Sequence, residues 1–252
     1  MSDHSKAPLT LTKEEMQRCG YKIVDLLADH FDTIHSQKFT SLVDRKQMDS
    51  LLQETVPNEA TSPDEVLDHI VKNVLSHTDF LTHPKFYSFV PSPSNYISVM
   101  ADTIATGFNI FSGGWNASPA AAELEIVTIH WLLEMFHFPI TEGGGLFTSG
   151  GSMANLTALT TARRVKCGDD YAKAIIYLSD QAHSSNIKAI RVLGFKKRQV
   201  RVIPTDSEFK ISMNKLKNEI AKDKLEGYQP FCIIASAGTT NTGTVDPLEA
   251  IA

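Results

Sequence analysis

Cysteine is scarce in this sequence, positive charge is not in excess, and no apolar run approaches membrane-spanning length; each shortage removes a class of function. The three cysteines, Cys19, Cys167 and Cys232, are odd in number and far apart, so they form neither a disulfide framework nor a paired-cysteine metal site. They read instead as small buried hydrophobes. Nine histidines are present, yet none stands in an HxH or HExxH pattern, and no metal is expected. The formal net charge of -5 argues against nucleic acid and anionic membranes, both of which favour a basic face. Lys196, Lys197, Arg198 and Arg201 read as a solvated surface. The opening MSDHSKAPLTLTKEE has no apolar core that could act as a signal sequence, and a cytoplasmic protein is the expectation.

What is present is an ordinary globular composition: 252 residues, 42% hydrophobic and 21% charged, enough for one large or two modest domains. Thr12 followed by Glu15 is a capping box, and Met16, Cys19, Ile23, Leu26, Leu27, His30 and Ile34 recur at helical spacing. A second start has Ser62 as cap, Pro63 at the first helical position and Glu65 closing the box, with a helix running to about Ser76. Residues 1–80 are therefore a helical segment whose one-sided apolar faces need a cover, on this chain or on a second subunit. The aromatic and proline-rich loop HPKFYSFVPSPSNY follows, then a helix from Ile97 to about Phe108, then the loop FSGGWNASP. Ser118 and Pro119 open a helix that is apolar nearly all round and so is expected to be buried.

Beyond Ser152 the pattern alternates between strands (KAIIYLS, QVRVIPT, FCIIASAG) and helices (SSNIKAIRVLG, NKLKNEIAKDKL). Short β-branched runs separated by helices imply βαβ units and an α/β fold with a mainly parallel sheet. Ligands bind such sheets at the carboxyl ends of the strands. Taking Leu146–Phe147 as the end of a first strand, those ends supply residues 148–152, residues 179–183 and residues 237–240.

In LFTSGGSMANL, Gly150, Gly151 and Ser152 open a helix. A helix start offers unpaired N–H donors and a partial positive charge, glycines let an anion reach the backbone, and Ser152 adds a hydroxyl. Phosphate suits that set; a tight strand-to-helix turn is the plainer reading of the same glycines. The stretch lacks the GxxxxGK[ST] and GxGxxG patterns, which disfavours a nucleoside triphosphate or NAD. His183 follows a strand end on the same edge, where a flat imidazole could stack on an aromatic ligand; a structural histidine is the alternative.

HPKFYSFVPSPSNY, GGWNASPAAAELE, LFTSGGSMANLTAL, SDQAHSSNIKA and SAGTTNTGTVDP, in this order, resemble the group II pyridoxal-phosphate-dependent amino-acid decarboxylases, and most of all the aromatic-L-amino-acid decarboxylases. The resemblance covers essentially the whole chain. It implies an aspartate-aminotransferase-like fold (PLP fold type I). Residues 81–252 would form the first part of the cofactor-binding large domain, and the helices of residues 1–80 would embrace the partner in a homodimer.

It also implies roles. Gly150, Gly151 and Ser152 would hold the phosphate of pyridoxal 5'-phosphate, His183 would stack on its ring as the catalytic histidine, and Thr239 would sit close to the cofactor. Phe89, Pro91 and Ser92 match the loop lining the substrate pocket, and Phe111 matches a position reaching the neighbouring subunit's pocket; loop packing is the plainer reading of Phe86, Tyr87 and Phe89. The implied reaction is decarboxylation at an amino acid's α-carbon, with an aromatic substrate favoured over glutamate and with diaminobutyrate and histidine as further alternatives. In the family the cofactor-bearing lysine and the aspartate at the ring nitrogen lie downstream of the GTTNTGTVDP region. Asp246 matches a structural turn residue and Asp180 a local turn. The chain is therefore expected to correspond to the N-terminal half of the enzyme and to catalyse poorly alone. A non-catalytic cofactor-binding or dimerising module, or a generic phosphate-ligand binding protein, are the alternatives.

Overall fold

The computed structural model describes residues 10–90 and 92–252. The chain divides into two compact units, Met1–Ile110 and Phe111–Ala252. No helix among the described residues is long and apolar enough to cross a membrane.

In the first unit, helix α1 (Lys13–Thr33) starts where its capping box dictates. Glu15 N–H donates to the Thr12 hydroxyl at 3.2 Å, and Thr12 N–H donates to the Glu15 carboxylate at 2.7 Å. A short helix α2 (Arg45–Leu52) uses Asp44 and Gln47 in the same way. Helix α3 (Pro63–His69) begins on Ser62 and Glu65 and continues through a π turn (Ile70–Val74) and a 3-10 turn (Leu75–His77), so the helical path ends where the sequence placed it. Helix α4 (Tyr96–Gly107) is capped by Asn95. Arg18–Asp64 at 3.0 Å and Lys22–Asp68 at 2.7 Å tie α1 to α3, while the Phe31 and Tyr96 rings meet edge to face between α1 and α4. These helices bury none of their own residues, and Met16, Tyr21 and Ile23 remain exposed.

The second unit opens with helix α5 (Pro119–Met135). Burial was expected from its all-round apolar sequence, but none of its residues is buried, and Leu124 and Trp131 are exposed. One side only is covered. Gly143 and Gly145 lie against Leu133 and Ile129, and the Glu125 carboxylate accepts from Phe147 N–H at 2.8 Å. The strand expected at Leu146–Phe147 does not form either. A strand exists only through a neighbouring backbone, and this segment bonds a side chain of α5 instead.

From there the alternation holds: α6 (Gly151–Cys167), β1 (Ala174–Ser179), α7 (Ser184–Val192), β2 (Val200–Ile203), α8 (Met213–Leu225), β3 (Gln229–Ile234) and a closing turn of helix α9 (Leu248–Ile251). The sheet is parallel, in the order β2-β1-β3. Register steps from Ile175↔Pro230 to Ile176↔Cys232, a bulge placed where proline has no N–H to give to the ladder. All six residues of β1 are buried. Ala174 and Ile176 pack on Leu159 of α6 and Ala189 and Ile190 of α7; Ile175 and Tyr177 pack with Ile203, Ile211 and Leu216 on the α8 side. The continuous apolar run of β1 is thus that of a strand covered on both faces. The cysteines are half-buried rather than buried.

Candidate functional site

Helix α6 begins bare. Its N-cap Gly150 sits at φ 153° and ψ 170°, a region essentially restricted to glycine, and provides no side-chain cap; the first turn holds no acid. Met153 and Ala154 N–H groups donate back to Gly150 O, at 3.0 and 3.1 Å. The N–H groups of Gly151 and Ser152 precede the helical ladder and have no acceptor within it. Residues 150–152 are exposed, and a Cβ on Gly150 or Gly151 would meet no atom within 4 Å. These two N–H groups, without an acceptor among the described residues, form with the Ser152 hydroxyl and the open space above glycine backbone a donor set that fits a phosphate group.

Helix α7 begins on His183, whose Nδ1 accepts from Ser185 N–H at 3.2 Å. The Ser185 hydroxyl lies 2.8 Å from the same nitrogen and accepts from Asn155 Nδ2 of α6 at 2.9 Å. At the other end of the pair, Arg163 Nη1 donates to Leu193 O at 2.5 Å. Ties at both ends set α6 and α7 side by side in the same direction, so both N-termini lie at the edge where β1 ends in Ser179. The structure therefore brings the Gly150–Ser152 turn and His183 to one edge. His183 as a residue is exposed. The Ser179 hydroxyl at the strand tip is buried and, among the described residues, has no partner.

Thr239 occupies the loop after β3, the strand next to β1, and is buried. Its hydroxyl bonds Thr242 at 2.5 Å and its N–H donates to Thr244 O at 3.0 Å; among the described residues no hydrogen bond joins it to His183 or Ser152. Asp246 is a turn residue as the sequence suggested. Its two oxygens accept from Ile211 N–H and Ser236 N–H, both at 2.8 Å, pinning the β3 exit loop to the chain after β2. Asp180 accepts from Thr205 N–H at 3.4 Å and from the Gln181 amide at 3.3 Å, again a local role. A groove of about 580 Å³ runs between the 144–148 segment and α6, past Thr148, Ala154, Thr157 and Thr161; neither Ser152 nor His183 lines it.

The residues matched to the substrate pocket are divided. Phe89 and Ser92 are exposed residues of the first unit, and Phe89 is held at φ 62°, a strained conformation for an aromatic residue. Pro91 lies outside the described residues. Phe111 opens the second unit, 65% exposed, with its ring against Gly113.

Two features went unread in the sequence. The Asn155–Ser185 link joins helices through residues thirty apart, although Asn155 lies three positions beyond Ser152 on one helix face. Behind the sheet, the Tyr177 hydroxyl donates to Asp223 Oδ2 at 2.8 Å and Arg201 Nη2 donates to Oδ1 at 2.5 Å. Burial, and then the bond to Asp223, push the Tyr177 phenol well above its ordinary value, and burial alone raises the Cys232 thiol.

Residues 45–252 match the pyridoxal-dependent decarboxylase conserved domain. An aromatic-L-amino-acid decarboxylase of Bacillus atrophaeus is 44% identical over 244 residues, covering 97% of this chain and 51% of that protein. Two solved structures superpose with a TM-score of 0.86. One, Oryza sativa TDC with PLP and tryptamine, is 27% identical and covers 98% of this chain and 53% of its own. The other, Catharanthus roseus tryptophan decarboxylase in complex with L-tryptophan, is 28% identical and covers 96% and 54%. The chain spans about half the length of the curated relatives it matches. The likeness places the β2-β1-β3 sheet and its helices in the aspartate-aminotransferase-like fold, as an incomplete sheet preceded by a helical unit. With four-fifths of its length matched to that domain and its helices and strands superposed on those of such enzymes, the chain belongs to the pyridoxal-dependent decarboxylase family.

Proposed function

We propose that this chain binds pyridoxal 5'-phosphate and forms part of a decarboxylase that converts an aromatic L-amino acid to its amine and CO2. The observation that carries the reading is the convergence of the uncapped α6 start and the His183 imidazole on one sheet edge. When bound, the cofactor supplies an electron sink for the pair left on the α-carbon as the carboxylate departs. The chain's part is to hold and orient. Gly151 N–H, Ser152 N–H and the Ser152 hydroxyl donate to phosphate oxygens, and His183 offers its exposed ring face to the pyridine. Thr239 stands on the neighbouring strand's exit loop, near the same edge. Neither Asp180 nor Asp246 serves the ring nitrogen in this reading, since both carboxylates are held by backbone N–H groups of turns.

By the resemblance, Phe89, Pro91 and Ser92 are assigned to the substrate side chain, and Phe111 to the pocket of the neighbouring subunit. An aromatic substrate is supported by the name of the B. atrophaeus relative and by the L-tryptophan complex of the C. roseus enzyme. Pairing of two copies through the first unit is part of the reading, supported by the exposed Met16, Tyr21 and Ile23 along α1.

The test is titration of the chain with pyridoxal 5'-phosphate and with pyridoxal, followed by absorbance and fluorescence, in the native protein and in Ser152→Glu. A carboxylate placed about 4 Å from a phosphate oxygen costs about 1–3 kcal/mol at a partly exposed site, a fivefold to hundredfold loss. The phosphorylated ligand is expected to bind at least about tenfold better than pyridoxal, and Ser152→Glu to erase most of that preference. Equal binding of the two ligands, or an unaffected variant, refutes the placement of phosphate at α6.

A further inference from the structure

His183 caps α7 through Ser185 N–H, and that one bond is all a helix cap requires. The structure adds a second layer that capping does not explain. The Ser185 hydroxyl points at the same ring nitrogen, and a side chain from another helix, Asn155, donates to that hydroxyl. We propose that Ser185 and Asn155 are positioning residues that fix the tautomer and the ring orientation of His183. The proposal rests on the reading of His183 as the residue facing the pyridoxal ring.

The direction of each bond follows from which groups can only donate. A backbone N–H has no lone pair to offer, so Nδ1 must present its own lone pair to Ser185 N–H, and the ring proton resides on Nε2. Asn155 Nδ2 is likewise a donor, so the Ser185 oxygen accepts from it and directs its single proton to Nδ1. Every link of the chain from Asn155 to Ser185 to His183 runs one way. Ser185 is 2% exposed, so its hydroxyl has no water to turn to if the ring swings away. Flipping the imidazole, or moving its proton to Nδ1, leaves a buried hydroxyl proton without an acceptor. His183 itself is exposed, and the network holds the ring by one nitrogen.

The experiment is long-range 1H–15N correlation spectroscopy of the 15N-labelled full chain without ligand, at about pH 8, where an ordinary histidine is neutral. The native His183 is expected to show an unprotonated Nδ1 and a protonated Nε2. Ser185→Ala should raise the share of the Nδ1–H form about threefold to tenfold, the worth of one hydrogen bond, and Ser185→Thr should restore the native pattern. Asn155→Asp leaves Ser185 in place but turns its proton toward the new carboxylate, so it should produce the same rise. Circular dichroism separates these changes from loss of fold, and the Asn155 variant, altered at a half-buried position, keeps the test alive should Ser185→Ala unfold. A native Nδ1–H form overturns the proposal, as does a native-like pattern in both Ser185→Ala and Asn155→Asp. Because the readout needs no cofactor, a failure of this network is distinguishable from a failure of pyridoxal 5'-phosphate binding, which the titration above decides.

Discussion

Gly150 and Gly151 are adjacent, equally exposed and equally free of neighbours, yet alanine should act on them with opposite sign. Gly150 is held at φ 153° and ψ 170°, which an L-residue reaches only with about 1–3 kcal/mol of strain. Gly151 is the first residue of α6, outside the positive-φ glycines, so a methyl there restricts the unfolded chain and favours the helix, by up to about 1 kcal/mol. For a chain of this size each kcal/mol moves the melting midpoint by about 2–4 °C. Gly150→Ala should therefore melt about 2–12 °C lower and Gly151→Ala up to about 4 °C higher. The functional consequence runs against stability. If Gly151 is present so that an anion can approach the backbone, its new Cβ occupies that approach, and Gly151→Ala should bind pyridoxal 5'-phosphate at least about tenfold more weakly while being the more stable protein. Thermal unfolding without ligand and the absorbance titration read the two effects separately. A Gly151→Ala chain that binds as tightly as the native one would show that these glycines only make a turn. A Gly150→Ala chain that melts with the native one would remove the backbone argument.

The Tyr177–Asp223–Arg201 group gives a pH signature. The Tyr177 phenol is raised in the folded chain, by burial first and then by Asp223, so its contribution is complete below the ordinary tyrosine value of about 10 and is lost as the pH climbs above it. Tyr177→Phe should cost about 1–2 kcal/mol near neutrality and flatten that alkaline decline; urea midpoints that fall equally in both proteins above about pH 10 contradict the assignment. Asp246→Ala removes the acceptor of Ile211 and Ser236 N–H and should destabilise by about 2–4 kcal/mol, with faster hydrogen exchange at those two amides. Unchanged protection there would mean that the loops are pinned by something else.

What the sequence made legible was local. Thr12 with Glu15, and Ser62 with Pro63 and Glu65, mark helix starts because donor and acceptor lie within one turn. The β1-α7-β2-α8-β3 alternation was legible because a strand covered on both faces leaves an uninterrupted apolar run. Leu146–Phe147 has the composition of a strand end, but pairing depends on a neighbour that composition does not report. The all-round apolar character of α5 records how much of its surface suits an apolar contact, not which contact is present in this chain, and Trp131 is 59% exposed. Asp223 stands among lysines in NKLKNEIAKDKL and reads as part of a solvated face; only its contact with Tyr177 of β1 shows it to be buried. Asn155 and Ser185 were hidden for the same reason, since their meaning lies in a contact between two helices.

In the proposed reading an acidic chain holds a dianion without a basic side chain at the clamp, and that calls for a comparison of ranges. The net charge of -5 is spread over the whole sequence, and at physiological salt its field decays over about 8 Å. The N-termini of α6 and α7 act within their first turns, each carrying about half a positive charge, and neither first turn contains an acid. The carboxylate nearest in sequence to His183, Asp180, is engaged by Thr205 N–H and the Gln181 amide. At the distance of a hydrogen bond the backbone field therefore outweighs the net charge. This is why the glycines count for more than the composition: without a side chain in the way, a phosphate oxygen can come close enough to the α6 N–H groups for the short-range term to decide.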